Sequence, residues 1–494
     1  MEKNSKRLSR RTFIKGTAIG VGVGITGLNL KEVYALPAPQ KWNKEVDVII
    51  IGAGGAGFCA AIEACKAGAK TLILEKEPVT GGSSAICGGS LAFAPTSMQK
   101  EKGINDSPNL FYEDLLKIGK GRCVKELVRT YADESNACYE FLVSLGVKFQ
   151  SVEMRPGLSV PRVHRTSAGD TLNILKNEST KLGAELLTRS PAKRLYANPQ
   201  GRIIGVKAKI KNKDTSIKAK RAVILTTGGF AMNKDMLKEY SPLPLESIMA
   251  VSGLGTTGDG IKMAMEYGAA PSQMTLALSP ITGVGIPMDV NTKTISQPNY
   301  AGAVIVNKEG KRFVNESVAY TDIALAGMSQ TEALIFHIAD EQVFNAYKAS
   351  TYSRMDRPLK ADTLEELASK AGIASAALVE EINKYNGHVA AGNDPDFGRK
   401  SLVGIAGKPT PIKTAPFYAY VTKPGLIATM GGIKVNTKTE VINVFDEAIP
   451  GLYAAGEVTG GMHGAGYHTG SGFGKALVFG RIAGKKAANE KPQR

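Results

Sequence analysis

The chain has 494 residues, 43% of them hydrophobic and 55 of them glycine, too long for one ordinary core and suited in composition to a compact α/β protein of two or three domains. Its formal net charge is +17, yet no basic cluster is interleaved with aromatics, which speaks against nucleic acid as the reason for that charge. Five cysteines without CxxC or CxxCH spacing exclude haem attachment, thioredoxin-like chemistry and a zinc knot, no cluster has metal-ligand spacing, and no apolar run reaches the roughly 18–20 residues of a membrane span.

The N-terminus reads as a targeting segment. Ser9-Arg10-Arg11-Thr12-Phe13-Ile14-Lys15 carries a twin arginine, a mild Gly-rich apolar region follows from Thr17 to Leu30, and Val33-Tyr34-Ala35 offers a small-residue cleavage site. Residues 1–35 resemble a Tat signal, the route for proteins that fold and take up cofactor before export, which predicts a periplasmic location. This segment holds seven basic residues against two acids, so its removal leaves about +12, a diffuse positive surface suited to an acidic protein partner or to solubility.

Residues 36–45 read as a linker. Val46 to Ile51 is a nearly continuous apolar run, the pattern of a parallel strand buried on both faces. It breaks into Gly52-Ala53-Gly54-Gly55-Ala56-Gly57, a GxGxxG, followed by an Ala-rich helical segment to Lys66 and a second apolar strand, Thr71 to Leu74, that closes on Glu75. In this arrangement Gly52 permits the tight turn, Gly54 lets backbone N–H groups approach a pyrophosphate, and Gly57 lets helix pack close on strand. The helix N-terminus faces the phosphates with its positive end, and Glu75 is placed to accept hydrogen bonds from a ribose hydroxyl. Cys59 and Cys65 fall on the apolar helix as buried filler.

A loop of small residues, Gly81-Gly82-Ser83-Ser84-Ala85-Ile86-Cys87-Gly88-Gly89, comes next, then a helical region from about Pro108 to Leu145, the stretch Ser159 to Arg165, and a helix near Thr171 to Leu182. From Glu185 to Leu225 the pattern is short strands with Asn-Pro and Lys-Asn turns. They end in a buried strand, Ala222 to Leu225, that runs into Thr226-Thr227-Gly228-Gly229-Phe230. Thr257-Gly258-Asp259-Gly260 opens a helix to Tyr267. Residues 274–427, richer in Pro, with mixed short strands and two helices near 363–390, read as an inserted second domain. The first pattern returns in Gly451 to Val458, with Gly456-Glu457, and the chain closes with a helix near Gly474 to Asn489.

Taken together these stretches resemble, over nearly the whole chain after residue 35, the FAD-dependent fumarate reductase and 3-ketosteroid dehydrogenase superfamily. The matching signatures are GAGGAG with Glu75, GGSS at 81–84, SVPRVHR at 159–165, TTGGF at 226–230, TGDG at 257–260, GKRFVNE at 310–316, TMGG at 429–432 and GLYAAGEVTGGMHGAG at 451–466. The resemblance implies a Rossmann-like (GR2-type) FAD domain, residues 36–273 and 428–494, interrupted by an α+β capping domain, 274–427, with substrate between cap and flavin. It implies FAD contacts at the Gly52–Gly57 turn, Glu75 and Lys76, the loop Gly81, Gly82, Ser83, Ser84, Gly88 and Gly89, and Gly228, Gly229, Asp259, Gly456, Glu457 and Gly472. Covalent members carry a histidine in the loop after the first acid. Positions 81–89 hold none, which predicts non-covalent FAD.

Fumarate reductases of this superfamily bind carboxylates with an arginine and a histidine and donate the proton through another arginine. Here the proton-donor arginine falls on Tyr320, the histidine on Ala428 and the carboxylate arginine on Tyr467. The pattern NExxxY is similar to that of the ketosteroid dehydrogenases, so Tyr320 is expected as proton carrier and Tyr467 as hydrogen-bond donor to a carbonyl. Reducing a C=C conjugated to a carbonyl needs hydride at the β carbon, a proton at the α carbon and a donor at the carbonyl oxygen. A phenol, with pKa near 10, is a competent acid and a poor base. His468 and Arg162 are expected at the substrate, with Arg165 and Lys423 as further basic candidates; His463, His164 and Arg165 are expected at the flavin or a domain interface, and His337 and His388 in helical surroundings.

The resulting expectation is an exported FAD-dependent reductase of a small unsaturated carbonyl or monocarboxylate compound, of the acrylate or methacrylate type, fed in anaerobic respiration by a separate cytochrome c. A 3-ketosteroid dehydrogenase, a fumarate-type reductase and a flavin electron-transfer subunit are the alternatives.

Overall fold

The protein is described by a computed structural model over residues 36, 38–275, 278–285, 295–350, 358–402 and 407–493. The twin-arginine segment read from residues 1–35 lies outside the described residues. The apolar run after it forms the strand Lys44–Ile51, in which Val46 and Val48 to Ile51 are all buried. Both neighbours are parallel: Thr71–Leu74 on one side and the end of Lys213–Leu225 on the other, with Ala448–Ala454 parallel beyond it. Glu185–Leu187 extends the sheet in parallel past Thr71–Leu74. A strand covered on both faces has no polar side to present, which is why these segments read as continuous apolar runs.

The helix Gly55–Lys66 and the C-terminal helix Ser471–Ala488 pack on each other at backbone contact. A Cβ at Gly480 would lie 2.5 Å from the Ala56 carbonyl, and one at Gly484 would lie 2.2 Å from that of Ala60. Small residues on both helices are therefore a packing requirement. Cys59 is buried in this layer, whereas Cys65 is half-buried at its edge. The helical region from Pro108 to Leu145 comprises two helices, Pro108–Ile118 and Lys125–Ser144, divided at a turn in which Lys120 and Gly121 take positive φ.

A second core gathers Tyr300, Val304, Phe336, Tyr347, Leu378 and Tyr420 with their neighbours. Its sheet is built on the long strand Phe417–Thr429, which pairs antiparallel with Ile335–Ala339, Leu278–Gly285 and Leu359–Ala361; the helices Leu364–Ala371 and Ser375–Ala391 belong to the same body. Met249–Ala250, ahead of the stretch read as the second domain, joins this sheet in parallel with Gly425 and Leu426. The far end of Phe417–Thr429 leaves the second core and reaches the first, where the Thr429 amide donates to Glu457 Oε1 at 3.0 Å.

One of the two histidines expected in helical surroundings is corrected. His388 is helical, in Ser375–Ala391, but His337 lies in the strand Ile335–Ala339, fully buried, and neither of its ring nitrogens has a hydrogen-bond partner. Burial pushes the His337 pKa down to about 3. The imidazole stays neutral in the folded protein, while the unfolded chain takes up a proton below the ordinary value near 6.5. The stability tied to this group is present above pH 6.5 and is lost as pH falls from there toward 3, by about 1.4 kcal/mol per pH step. His337→Leu is expected to stabilise the protein, with a gain about 2 kcal/mol larger at pH 5 than at pH 7.5 in urea unfolding. Parallel acid destabilisation of both proteins would refute this.

Candidate active site

The carboxyl ends of the parallel strands open into one cavity of about 1080 Å³, which runs from the Gly52 turn to Tyr320 and Tyr467. At its first end Gly52 takes φ 110°, and a Cβ there would meet the Thr226 carbonyl oxygen at 2.4 Å. A Cβ on Gly57 would strike the Gly52 carbonyl at 2.0 Å, so helix and turn touch as the GxGxxG spacing anticipates. Gly54 differs: a Cβ there would find its nearest atoms at 3.7 Å, and its own backbone is extended. The space beside Gly54 belongs to the cavity, and Gly54, the N-cap of the helix that starts at Gly55, has no side chain with which to cap it.

The Gly81 loop is tied to this turn. The Gly81 amide donates to the Ala53 carbonyl at 2.8 Å, and the Gly55 amide donates to Ser84 Oγ at 3.2 Å. Ser83 Oγ reaches Ser252 Oγ at 3.0 Å and accepts from the Gly253 amide. Glu75 accepts from the Ala53 and Glu77 amides, each at 2.9 Å, which fixes its carboxylate on the cavity wall. Lys76 pairs with Asp259 at 2.7 Å; burial raises the carboxyl's pKa, but the Lys76 ammonium outweighs it and holds Asp259 below the usual range. Gly82, Gly88, Gly228, Gly456 and Gly472 also line the cavity.

Three expected contacts serve elsewhere. Gly57 is the helix–strand contact. Gly89 packs on the backbone of Thr166, where a Cβ would fall 1.8 Å from its carbonyl oxygen, and Gly229 packs against Thr429 and Glu457. None of the three lines the cavity. Glu457 is held there by the Thr429 amide, and burial lifts its pKa to about 6. Lys475, which no motif singled out, sits on the same wall with its Nζ donating to the Thr459 carbonyl at 2.6 Å; burial pushes its pKa down to about 8. Its only signal is a lone lysine in the apolar run Phe473 to Phe479.

At the other end stand the two tyrosines: Tyr320 belongs to the second core and Tyr467 packs against it. Tyr320 opens the helix Tyr320–Met328, and Tyr467 lies in the loop before Ser471–Ala488. Their ring centroids are 6.1 Å apart and both line the cavity. The turn into Tyr320 is fixed by buried charges: Arg312 bonds Glu316 at 2.8 Å and Asp394 at 2.9 Å, and Glu316 also accepts from the Ile305 amide. Among the described residues His388, Asp394 and Asp396 come close enough to share a cation, but Asp394 is held by Arg312 and Asp396 by Lys384.

Burial raises the Tyr320 pKa well above 10, reinforced by Tyr467 and Tyr300 and opposed by Thr469 and Arg155. Tyr467 is raised too, by burial first. The Gly472 amide donates to the Tyr467 hydroxyl oxygen at 3.3 Å, which leaves the phenolic hydrogen to point elsewhere. His463, on the cavity wall, stacks near Tyr467 at 5.4 Å and bonds Ser471 Oγ at 2.9 Å; burial keeps it neutral.

Arg162 and His468, expected at the substrate, do not line the cavity. Arg162 is fully buried in ion pairs with Asp106 at 2.7 Å and Asp114 at 2.6 Å, and it lies over the Phe111 ring. His468 is buried 5.5 Å from the same ring, its Nδ1 2.9 Å from the Thr469 carbonyl. Both close a packed layer behind the site, because a paired guanidinium and a buried imidazole have no reason to face solvent. His164 is likewise buried, on Thr96 Oγ1 at 2.8 Å, and Lys423 is absent from the lining, whereas Arg165 is on it. The cavity also exposes Arg155, which carried no motif signal.

A family model for an FAD binding domain matches residues 47–473. The chain is 35% identical over 449 residues to the fumarate reductase (cytochrome) of Shewanella frigidimarina, covering 90% of this chain and 77% of that one. It is 32% identical over 511 residues to the acrylate reductase flavoprotein subunit of Shewanella woodyi, covering 98% and 99%. The crystal structure of 3-ketosteroid-delta4-(5alpha)-dehydrogenase from Rhodococcus jostii, in complex with 4-androstene-3,17-dione, superposes with a TM-score of 0.76 at 27% identity, covering 92% of this chain and 100% of that one.

The site fits FAD. The open space at Gly54, the helix N-terminus beside it and the fixed Glu75 carboxylate suit a pyrophosphate and a ribose, and the cavity continues from them to the tyrosines. Substitutions at neighbouring glycines separate fold from cofactor. Gly54→Ala is expected to leave the apoprotein's unfolding midpoint unchanged while weakening FAD at least about tenfold. Gly52→Ala, forced into the Thr226 carbonyl at positive φ, is expected to lower the midpoint itself. Flavin titration alongside thermal unfolding of both apoproteins checks the pair.

Proposed function

The chain belongs to the FAD binding domain family, and from that premise we propose that it is an FAD-dependent reductase of a C=C bond conjugated to a carbonyl or a monocarboxylate, of the acrylate or methacrylate type. The observation that carries this reading is the facing pair Tyr320 and Tyr467, two phenols that burial keeps protonated. FAD, when bound, supplies the hydride for the β carbon. Tyr320 delivers the proton to the α carbon, for which a phenol with a raised pKa is a proton source at every pH of interest. Tyr467, its oxygen engaged by the Gly472 amide, turns its hydrogen toward the carbonyl oxygen on which charge develops. His463, held neutral, orients the Tyr467 ring, and the buried setting of both phenols excludes water from the proton transfer.

The same pair, with the likeness to the ketosteroid dehydrogenase, favours a second reading, dehydrogenation next to a cyclic ketone. Oxidation requires Tyr320 to accept a proton as phenolate, and a raised pKa opposes that. A fumarate-type reaction is disfavoured because Tyr320, Ala428 and Tyr467 stand where a dicarboxylate site needs arginines and a histidine. We assign the reductants to a separate c-type cytochrome docking on the basic surface, the location to the periplasm, and the FAD to a non-covalent mode.

An anaerobic assay with reduced viologen tests the reading. Propenoate, 2-methylpropenoate or cinnamate is expected to reoxidise the dye, and a 3-ketosteroid is expected not to reduce an added acceptor; the opposite pattern selects the dehydrogenase. Tyr320→Phe is expected to lower turnover about 100-fold or more with FAD content retained. Unchanged electron transfer in that variant would instead mark an electron-transfer subunit.

A further inference from the structure

Gln297 brings the only carboxamide among the described residues that line the cavity. It is 8% exposed, and its Nε2 is buried without a hydrogen-bond partner. A buried amide with a structural task is bonded at both ends, as Gln99 shows: its Nε2 donates to the Pro161 carbonyl at 2.9 Å and its Oε1 accepts from the Thr96 amide at 3.0 Å. An unpaired buried donor costs stability, and it persists where something outside the protein supplies the acceptor. The backbone places this amide at the tyrosine end. Gln297 precedes the short turn Pro298–Ala301, in which the Tyr300 amide donates to the Gln297 carbonyl at 3.3 Å. Tyr300 Oη donates to the Val318 carbonyl at 3.0 Å, and Asn299 Nδ2 donates to the Glu316 carbonyl at 2.9 Å. The turn that carries Gln297 is thereby bound to the segment that leads into Tyr320. The Gln297 amide N–H itself donates to the Tyr347 hydroxyl at 3.4 Å, which anchors it to the second core. Around it the cavity wall is apolar, with Val251, Ile295 and Ile427 packed against the same core as Tyr467.

We propose that Gln297 is a specificity-determining residue that donates from Nε2 to the substrate, so that the substrate carries an acceptor oxygen besides the one that faces Tyr467. The inference rests on the reductase reading above and narrows it. In that reading Tyr467 serves the oxygen on which charge develops and Tyr320 serves the α carbon, so neither is left for a second oxygen. A simple enone has no second oxygen, and its bulk shuts water away from the Gln297 donor without replacing it. A site of this kind discriminates, because the wrong substrate forgoes a bond and also strands a buried polar group. Two sources supply the same acceptor: a carboxylate in place of the ketone, with both oxygens on one carbon, or a hydroxyl farther along the molecule. An amide N–H donates to either.

The test uses the FAD-loaded protein and its Gln297→Leu and Gln297→Glu variants, with flavin affinity measured for each. Substrates of matched size separate the sources: pent-3-en-2-one has one oxygen, but-2-enoate replaces its ketone methyl with a second, and 5-hydroxypent-3-en-2-one adds one at the far end. Butanoate binding is read by perturbation of flavin absorbance. In Gln297→Leu, kcat/KM is expected to fall about 10- to 100-fold for the substrate whose second oxygen Gln297 holds and less than about threefold for pent-3-en-2-one, with flavin affinity unchanged. If that substrate is but-2-enoate, butanoate binding weakens by a similar factor and Gln297→Glu is worse than Gln297→Leu, because carboxylate then meets carboxylate. If it is the hydroxy ketone, Gln297→Glu keeps activity by accepting from the hydroxyl. The proposal is overturned if all three substrates fall together, if none falls, or if flavin affinity falls while the ratios hold, which assigns the Nε2 donor to the flavin. A wild-type protein that reduces none of the three yet binds butanoate at least about tenfold more tightly than Gln297→Leu refutes the reductase reading and leaves the contact standing. Neither turnover nor binding overturns both.

Discussion

The site exists because four strand ends share one register. Ile51 stands opposite Leu74 on one side and Leu225 on the other, and Leu225 stands opposite Ala454. All four strands are parallel, so the residues that follow them leave the sheet along the same edge: Gly52, Glu75, Thr226 and Ala455. Parallel pairing forces every return through a crossover elsewhere, which leaves that edge free of hairpins and open to a ligand. The backbone contacts at Gly52 and Thr226 then close the turn, and the Gly81 loop is laid on it through Ala53 and Gly55.

The second core borrows its position from this edge. The strand Phe417–Thr429 runs from the second core to the Glu457 carboxylate, and Tyr320 is delivered by a turn that Arg312, Glu316 and Asp394 pin in place. A buried ion cluster of this kind adds little net stability, since desolvation offsets most of the attraction. It restricts the geometries available to the segment before Tyr320, and that restriction bears on how the Tyr320 phenol meets that of Tyr467, which packs against the same core.

Burial sets the chemistry of the tyrosine end. Desolvation disfavours phenolate at both rings and imidazolium at His463, so these three groups are neutral. Charged groups on the cavity wall are held by partners: Glu75 on the Ala53 amide, Lys76 against Asp259, Glu457 on the Thr429 amide, Lys475 on the Thr459 carbonyl, and Arg155 and Arg165 around Glu153.

The sequence alone determined what depends on neighbours along the chain. A glycine needed at a turn, an apolar strand before it and an acid at the end of the next strand are local requirements, and Gly52, Gly57 and Glu75 are where that reasoning places them. The family signatures carried the fold further and put Tyr320 and Tyr467 among the candidates. What only the tertiary structure decided is which charged side chains face inward. Arg162 lies in a recognisable motif and is spent on Asp106 and Asp114, while Arg155, in no motif, reaches the cavity. The burial of Arg162 depends on a segment 56 residues away in sequence, the one that carries Asp106, and no local pattern encodes that pairing.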